Sequence, residues 1–374
     1  MQSHNTNKWI AGLLTAFVVI GLVVVAGGGS QDNQNKQITA GVIAPLSGES
    51  AFIGEGLKRG IDLATVDADV SVETVYADNE DDAKGAVSAY NKLTTSHDPD
   101  VVISSGNQVS ALVPLAKEDN QPLLATVSSA SGVPAQGENI FRYFTNADTD
   151  APVMAEYATR ELEQKKFGVL FLNDQFGADY KQVFTSVVAE NGGEVVGAES
   201  FNYGNFDYRS QLTKLRSQDP DAIYLIGLGH QLVPAVKQAK KLRINAQILS
   251  MGTIATKEQI EKIGSQANGI YVTAFCTDKL SESYLRKFKE MYNQKPGFYS
   301  EIGYDIAKMV VKSAQDEGFT KEGVRSGLQQ INDFTANTGT VSADKNGEII
   351  IPMCMKQIRD GRVYNLETEQ FSNY

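Results

Sequence analysis

Residues 98–114 read D-P-D-V-V-I-S-S-G-N-Q-V-S-A-L-V-P, and residues 219–234 read D-P-D-A-I-Y-L-I-G-L-G-H-Q-L-V-P. Each is an acidic turn, an apolar run of strand length, a glycine-containing loop and a helix start that carries Gln. Any two strand–helix units share features of this kind. The sharper reading is two similar lobes, each presenting a strand-end loop to a shared cleft. In open α/β sheets ligands sit outside the carboxyl ends of the strands, where helix N-termini point bare N–H groups.

Working outward, apolar runs at 39–44, 73–77, 101–104 and 123–126 form one strand series. A second series follows at 168–172, 194–198, 222–226, 247–250 and 269–274. Amphipathic stretches at 54–66, 83–94, 109–117, 150–164 and 231–242 fall between them and read as helices. Such alternation predicts an α/β fold with parallel sheets, helices on both faces and right-handed crossovers.

The chain has 374 residues, 42% hydrophobic and 21% charged. That globular balance suits two domains of about 100–200 residues plus an accessory segment. A formal charge of −11 argues against a nucleic-acid partner, whose phosphates need clustered Lys and Arg. Two cysteines, Cys276 and Cys354, match no zinc spacing. Three scattered histidines, His4, His97 and His230, make no metal or catalytic cluster. No phosphate-binding G-x-x-x-x-G-K-[ST], no H-E-x-x-H and no G-x-S-x-G occurs. Asp148, Asp150, Asp174 and Asp179 lie near helix starts, where carboxylates usually act as caps. The chain is therefore expected to be no enzyme and to carry no cofactor.

What remains is small polar residues after strands. Ser104-Ser105-Gly106-Asn107 follows one apolar run and Ser128-Ser129-Ala130-Ser131 another. Hydroxyls and N–H groups at a helix start suit a carboxylate or another acceptor. The competing reading makes them N-caps and turn residues.

At the N-terminus, residues 9–26 are eighteen in a row without charge. As a helix they would span about 27 Å, roughly one bilayer core. Lys8 just before them sets the N-terminus inside. A signal peptide cleaved after Ala26 and an uncleaved anchor both fit, and either places the rest outside the cytoplasmic membrane. Residues 27–36 read as a polar tether.

Further motifs carry a resemblance. A-G-V-I-A-P-L-S-G-E-S-A-F-I-G-E-G-L-K-R-G-I-D-L-A at 40–64 resembles the opening of branched-chain amino-acid-type substrate-binding proteins of ABC importers. V-Y-A-D-N at 75–79, F-R-Y at 141–143, N-D-Q-F-G at 173–177 and F-D-Y-R-S-Q-L-T-K-L at 206–215 continue it. So do G-Y-D at 303–305 and G-T-V-S-A-D-K-N-G-E at 339–348.

The resemblance implies the type I periplasmic binding protein fold: two Rossmann-like lobes with parallel central sheets, joined by a three-crossing hinge, plus the N-terminal membrane-targeting helix. One lobe would comprise 37–145 and 277–337, the other 146–276 and 338–374. The implied partners are a small-molecule ligand trapped as the lobes close, a membrane permease, and the membrane through the N-terminal helix. A membrane-anchored sensor on the same fold is the alternative.

Carried over by position, Ser105, Gly106 and Asn107 match the loop that meets a ligand carboxylate, and Ser128 and Ser129 the pair that completes that grip. Phe52 and Ile53 fall where the first loop covers the ligand. Phe176 and Leu228 fall at positions often aromatic in amino-acid binders. Those binders hold the ligand ammonium with an acidic residue where this chain has Gly252. Asp174 or Asp278 would have to substitute. A carboxylate or amide with an apolar body therefore competes with leucine-like ligands. For Cys276 and Cys354, a disulfide and two separate buried thiols stay open.

Overall fold

The computed structural model describes residues 36–372 except Ser131 and Asp278. The apolar stretch 9–26, the tether to residue 35, and the expectations for Ser131 and Asp278 lie outside the described residues.

The first sheet contains β1 (Gln37–Ala44), β2 (Ser71–Asp78), β3 (Val101–Ser105), β4 (Leu123–Thr126) and β5 (Ile140–Tyr143). They pair in parallel in the order β2-β1-β3-β4-β5. The run V-V-I-S-S of β3 shows why: all five residues are buried. Val101 and Ile103 enter one core, while Val102 enters the core on the opposite face. A strand covered on both sides loses polar alternation and reads as continuously apolar. The covers are α2 (Ala83–His97) and α3 (Val113–Glu118) on one face, with α1 (Ala51–Val66) on the other.

In the second sheet, β6 (Lys166–Leu172), β7 (Glu194–Phe201), β8 (Ala222–Ile226), β9 (Gln247–Met251) and β10 (Tyr271–Phe275) are parallel in the order β7-β6-β8-β9-β10. Ahead of β6 comes α4 (Ala147–Arg160), and between the strands run α5 (Gln175–Glu190), α6 (Arg209–Ser217), α7 (Gly229–Lys241) and α8 (Lys257–Ile263). After β10 the chain returns to the first lobe through α9 (Glu282–Tyr292), α10 (Phe298–Glu317) and α11 (Lys321–Gln329). An antiparallel ribbon follows, β11 (Phe334–Ala336), β12 (Gly339–Ala343) and β13 (Ile349–Ile350). Finally β14 (Met353–Arg359), β15 (Arg362–Asn365) and β16 (Gln370–Phe371) extend the second sheet antiparallel beyond β10.

Two expectations need correction. Residues 338–351 were expected in the second lobe, yet Val341, Ile349 and Ile351 share a core with Val101, Ile103 and Phe141 of the first. Their apolar side chains complete that core, so the return crossing falls at Pro352, between β13 and β14. The helix expected at 109–117 is a 3-10 turn (Asn107–Ala111) followed by α3, whose first turn holds Pro114. Proline lacks the N–H a continuing helix needs and suits a fresh start.

Three segments link the lobes: 144–146, 276–281 and 351–352. The second and third run side by side. Cys276 N–H donates to Pro352 O at 3.1 Å, and Cys276 and Cys354 form a disulfide. The first and second crossings leave from the carboxyl ends of β5 and β10. The same edges of the two sheets therefore meet at the hinge.

Close helix packing in the first lobe depends on glycine. A Cβ on Gly60 of α1 would lie 2.0 Å from Ser300 O, and one on Gly303 of α10 2.3 Å from Leu57 O. Beside this seam lies a buried carboxyl pair. Asp305 accepts from Asn337 N–H, Thr338 N–H and Tyr143 O–H, yet burial still pushes it up to about 6. Burial, and then the charge of Asp305, push Glu301 up to about 8. A raised folded-state value means the folded protein holds protons that the unfolded chain releases. This contribution is complete below the ordinary carboxylate range and is lost as pH climbs through about 6 and then about 8. Denaturant unfolding should therefore show stability falling from about pH 5 to about pH 9, by on the order of a few kcal/mol from Glu301. Glu301→Gln should remove much of that fall. Equal slopes in the two proteins would contradict the assignment.

Candidate ligand-binding site

The strand-end loops of the first lobe are laced together. Asp81, after β2, accepts from Ser50 O–H at 2.6 Å and from Gln108 Nε2 at 2.8 Å. Asn79 Nδ2 donates to Ser105 O, and Gly106 N–H donates to Thr126 O at 3.0 Å. Gly106 turns the chain at φ +93°, where a side chain would be strained and would meet Gln108.

Asn107 and the loop after β4 form the centre of this cluster. Ser128 Oγ–H and Ser129 N–H both donate to Asn107 Oδ1, at 3.1 and 3.2 Å. Between Thr126 and Ser128 sits Val127 at φ +47°, an unusual conformation for a β-branched residue. Arg142 of β5 braces this loop from below. Its Nη1 donates to Ala130 O, while Nε and Nη2 each meet a Glu348 carboxylate oxygen at 2.7 Å. Arg142 is 2% exposed. Burial raises the Glu348 carboxyl, and the guanidinium opposes that rise. Ser105, Gly106, Asn107, Ser128 and Ser129 thus sit in one hydrogen-bonded group.

Phe52 stands at the start of α1, 56% exposed, while Ile53 packs on the first core. Phe52 begins an aromatic row that leads to the hinge. It meets Tyr299 edge-on at 5.8 Å, and Tyr299 meets Phe298 at 5.2 Å. Phe298 stacks on Phe275, the last residue of β10 before the second crossing, at 5.2 Å, and touches Phe144 of the first crossing. Sequence reasoning missed this row and also missed Asp81 and the brace from Arg142. The pair Phe298-Tyr299, directly after Pro296-Gly297, was the available signal for the row.

In the second lobe Phe176, Leu228 and Gly252 lie just past the carboxyl ends of the neighbouring strands β6, β8 and β9. Phe176 is half-buried against Tyr180, with ring centres 4.9 Å apart. Leu228 is the residue before α7 and is half-buried. Gly252 is enforced by packing, since a Cβ there would lie 2.8 Å from Thr273 O. An acidic side chain cannot stand at 252 without moving β9 from β10. Asp174, one of the two acids considered in its place, caps α5 by accepting from Gly177 N–H at 2.9 Å. Thr253 Oγ–H is spent on Gly227 O. Among the described residues, the metal-ligating groups that converge are Cys276, Cys354 and Glu367, and both sulfurs there are in the disulfide.

Residues 37–362 match the family described as periplasmic binding protein. The chain is 22% identical to the leucine-, isoleucine-, valine-, threonine-, and alanine-binding protein of Pseudomonas aeruginosa, over 87% of this chain and 91% of that one. Its fold is similar to the leucine binding protein LivK of Thermotoga maritima, with a TM-score of 0.78 and 22% identity over 90% of this chain and 99% of that one. It is similar again to a solute binding protein of R. palustris in complex with benzoate, with a TM-score of 0.76 and 20% identity over 88% and 95% of the two chains. A two-lobed α/β fold, polar loops at the carboxyl ends of the strands and a match spanning most of the chain agree: this chain belongs to the periplasmic binding protein family.

Proposed function

We propose that the captured ligand is a small carboxylate with an apolar body, held between the loops of the two lobes. The observation that carries this reading is the convergence of Ser128 Oγ–H and Ser129 N–H on one acceptor position, while packing keeps position 252 bare. Two donors on one point suit a carboxylate oxygen. Phe52 on one lobe, with Phe176 and Leu228 on the other, offers apolar surface for the ligand body. An ammonium group buried without an acidic partner would be costly. Relatives named for leucine, isoleucine and valine and a neighbour solved with benzoate bracket the same chemistry, an apolar body bearing a carboxylate. Closure follows because only the closed state lets one ligand touch both lobes, so binding shifts the population. In this reading the stretch 9–26 takes the protein across the cytoplasmic membrane or holds it at the outer face, and the loaded lobes dock on a permease.

Thermal unfolding of residues 37–374 with amino acids, amides and simple carboxylates tests the ligand class. A ligand at about 100 times its dissociation constant should stabilise the protein by about 2.7 kcal/mol. Carboxylates such as benzoate and isocaproate should raise the melting temperature, and their amides should not. A shift confined to amino acids would overturn the reading.

A further inference from the structure

We propose that Asn107 is a built-in occupant of the carboxylate grip, which every ligand must displace. The inference rests on the carboxylate reading above. Ser129 N–H can only donate, so the Asn107 atom that meets it at 3.2 Å must be the carboxamide oxygen. Ser128 Oγ–H meets the same oxygen at 3.1 Å. One neutral acceptor therefore satisfies both donors on which the ligand reading depends. Ser128 is fully buried and Ser129 is 8% exposed. Buried donors without an acceptor are costly, and the side chain of Asn107 relieves that cost in the ligand-free protein.

Asn107 itself is exposed, at the first position of a 3-10 turn that opens on Gly106. Its backbone is fixed by the laced loops, but its amide lies at the surface and can rotate off the serines. Ligand entry is then an exchange of acceptors. A carboxylate replaces neutral hydrogen bonds with stronger charge-assisted ones and gains from the exchange. A neutral amide replaces like with like and gains nothing there. Asn107 thus sets a threshold that weakens every ligand by the same factor, and only anionic acceptors clear it usefully.

Three proteins test this by titration calorimetry with benzoate and isocaproate and by thermal unfolding without ligand: wild type, Asn107→Ala and Asn107→Asp. Removing the occupant in Asn107→Ala should tighten carboxylate binding by about tenfold, the worth of roughly one hydrogen bond. Asn107→Asp places a permanent carboxylate in the grip. It should raise the melting temperature of the ligand-free protein and weaken carboxylate binding by about a hundredfold or more. If Asn107→Ala weakens binding while wild type binds normally, Asn107 is a ligand contact and the inference fails alone. Unchanged binding in Asn107→Asp would also overturn it. If wild type binds no carboxylate, the ligand reading fails and the inference falls with it.

Discussion

Replacing Arg142 with Met should cost about 3–5 kcal/mol of folding stability, because it leaves a buried carboxylate without its counter-ion. The Glu348 side chain is 14% exposed and both its oxygens are engaged by the guanidinium. The same substitution releases Ala130 O, the brace under the serine loop. Stability and binding should therefore fall together in Arg142→Met. They should separate in the double variant Arg142→Met with Glu348→Leu. An apolar pair of similar volume can match a buried ion pair in stability, so denaturant unfolding should recover most of the loss. Carboxylate affinity should stay low, by roughly tenfold or more, because Ala130 still lacks its donor. Recovery of both would show that Arg142 stabilises the lobe without positioning the loop.

The disulfide is the second large term. Cys276 and Cys354 are 78 residues apart, and the loop they close contains α9 to α11 and the ribbon β11 to β13. That loop is the whole excursion by which the chain leaves the second lobe, completes the first and returns. Closing a loop of this length restricts the unfolded chain by about 4 kcal/mol in a chain-entropy treatment. Cys276→Ser with Cys354→Ser should accordingly lower the melting temperature by roughly 6 °C for a protein of this size. Hydrogen exchange should show the added opening in α9 to α11 rather than in β6 to β8, since only the former depend on the staple. A uniform rise in exchange would mean that the two lobes unfold as one unit.

How much of this was legible beforehand varied with the physics involved. Parallel strands covered on both faces are the strongest signal a sequence carries, and V-V-I-S-S and A-I-Y-L-I were read as strands within a residue of their ends. The serine loops stood out as small polar residues after such strands, although N-capping and turn formation account for such residues as readily as ligand contact does. Which residue the serines would meet was not legible. Asn107 and Ser128 are 21 positions apart, and their meeting depends on the register of β3 against β4. The same holds for Arg142 and Glu348, separated by 206 positions. The boundary near residue 338 was misplaced because a short antiparallel ribbon has the same local pattern whichever core it completes. Gly252 was noticed as a missing acid. Only the structure shows why it is glycine: the carbonyl of Thr273 occupies the space a side chain would need.

The proposed site grips a carboxylate and holds glycine at position 252, where an acid would meet an ammonium. One comparison isolates that claim, the dissociation constants of leucine and of isocaproate, its counterpart without the amino group, measured on the same wild-type protein by titration calorimetry. The account predicts that isocaproate binds more tightly, by about tenfold or more, since it carries no cation to desolvate. Tighter binding of leucine would contradict it, and would mean that an acidic group elsewhere in the chain reaches the cleft and holds the ammonium.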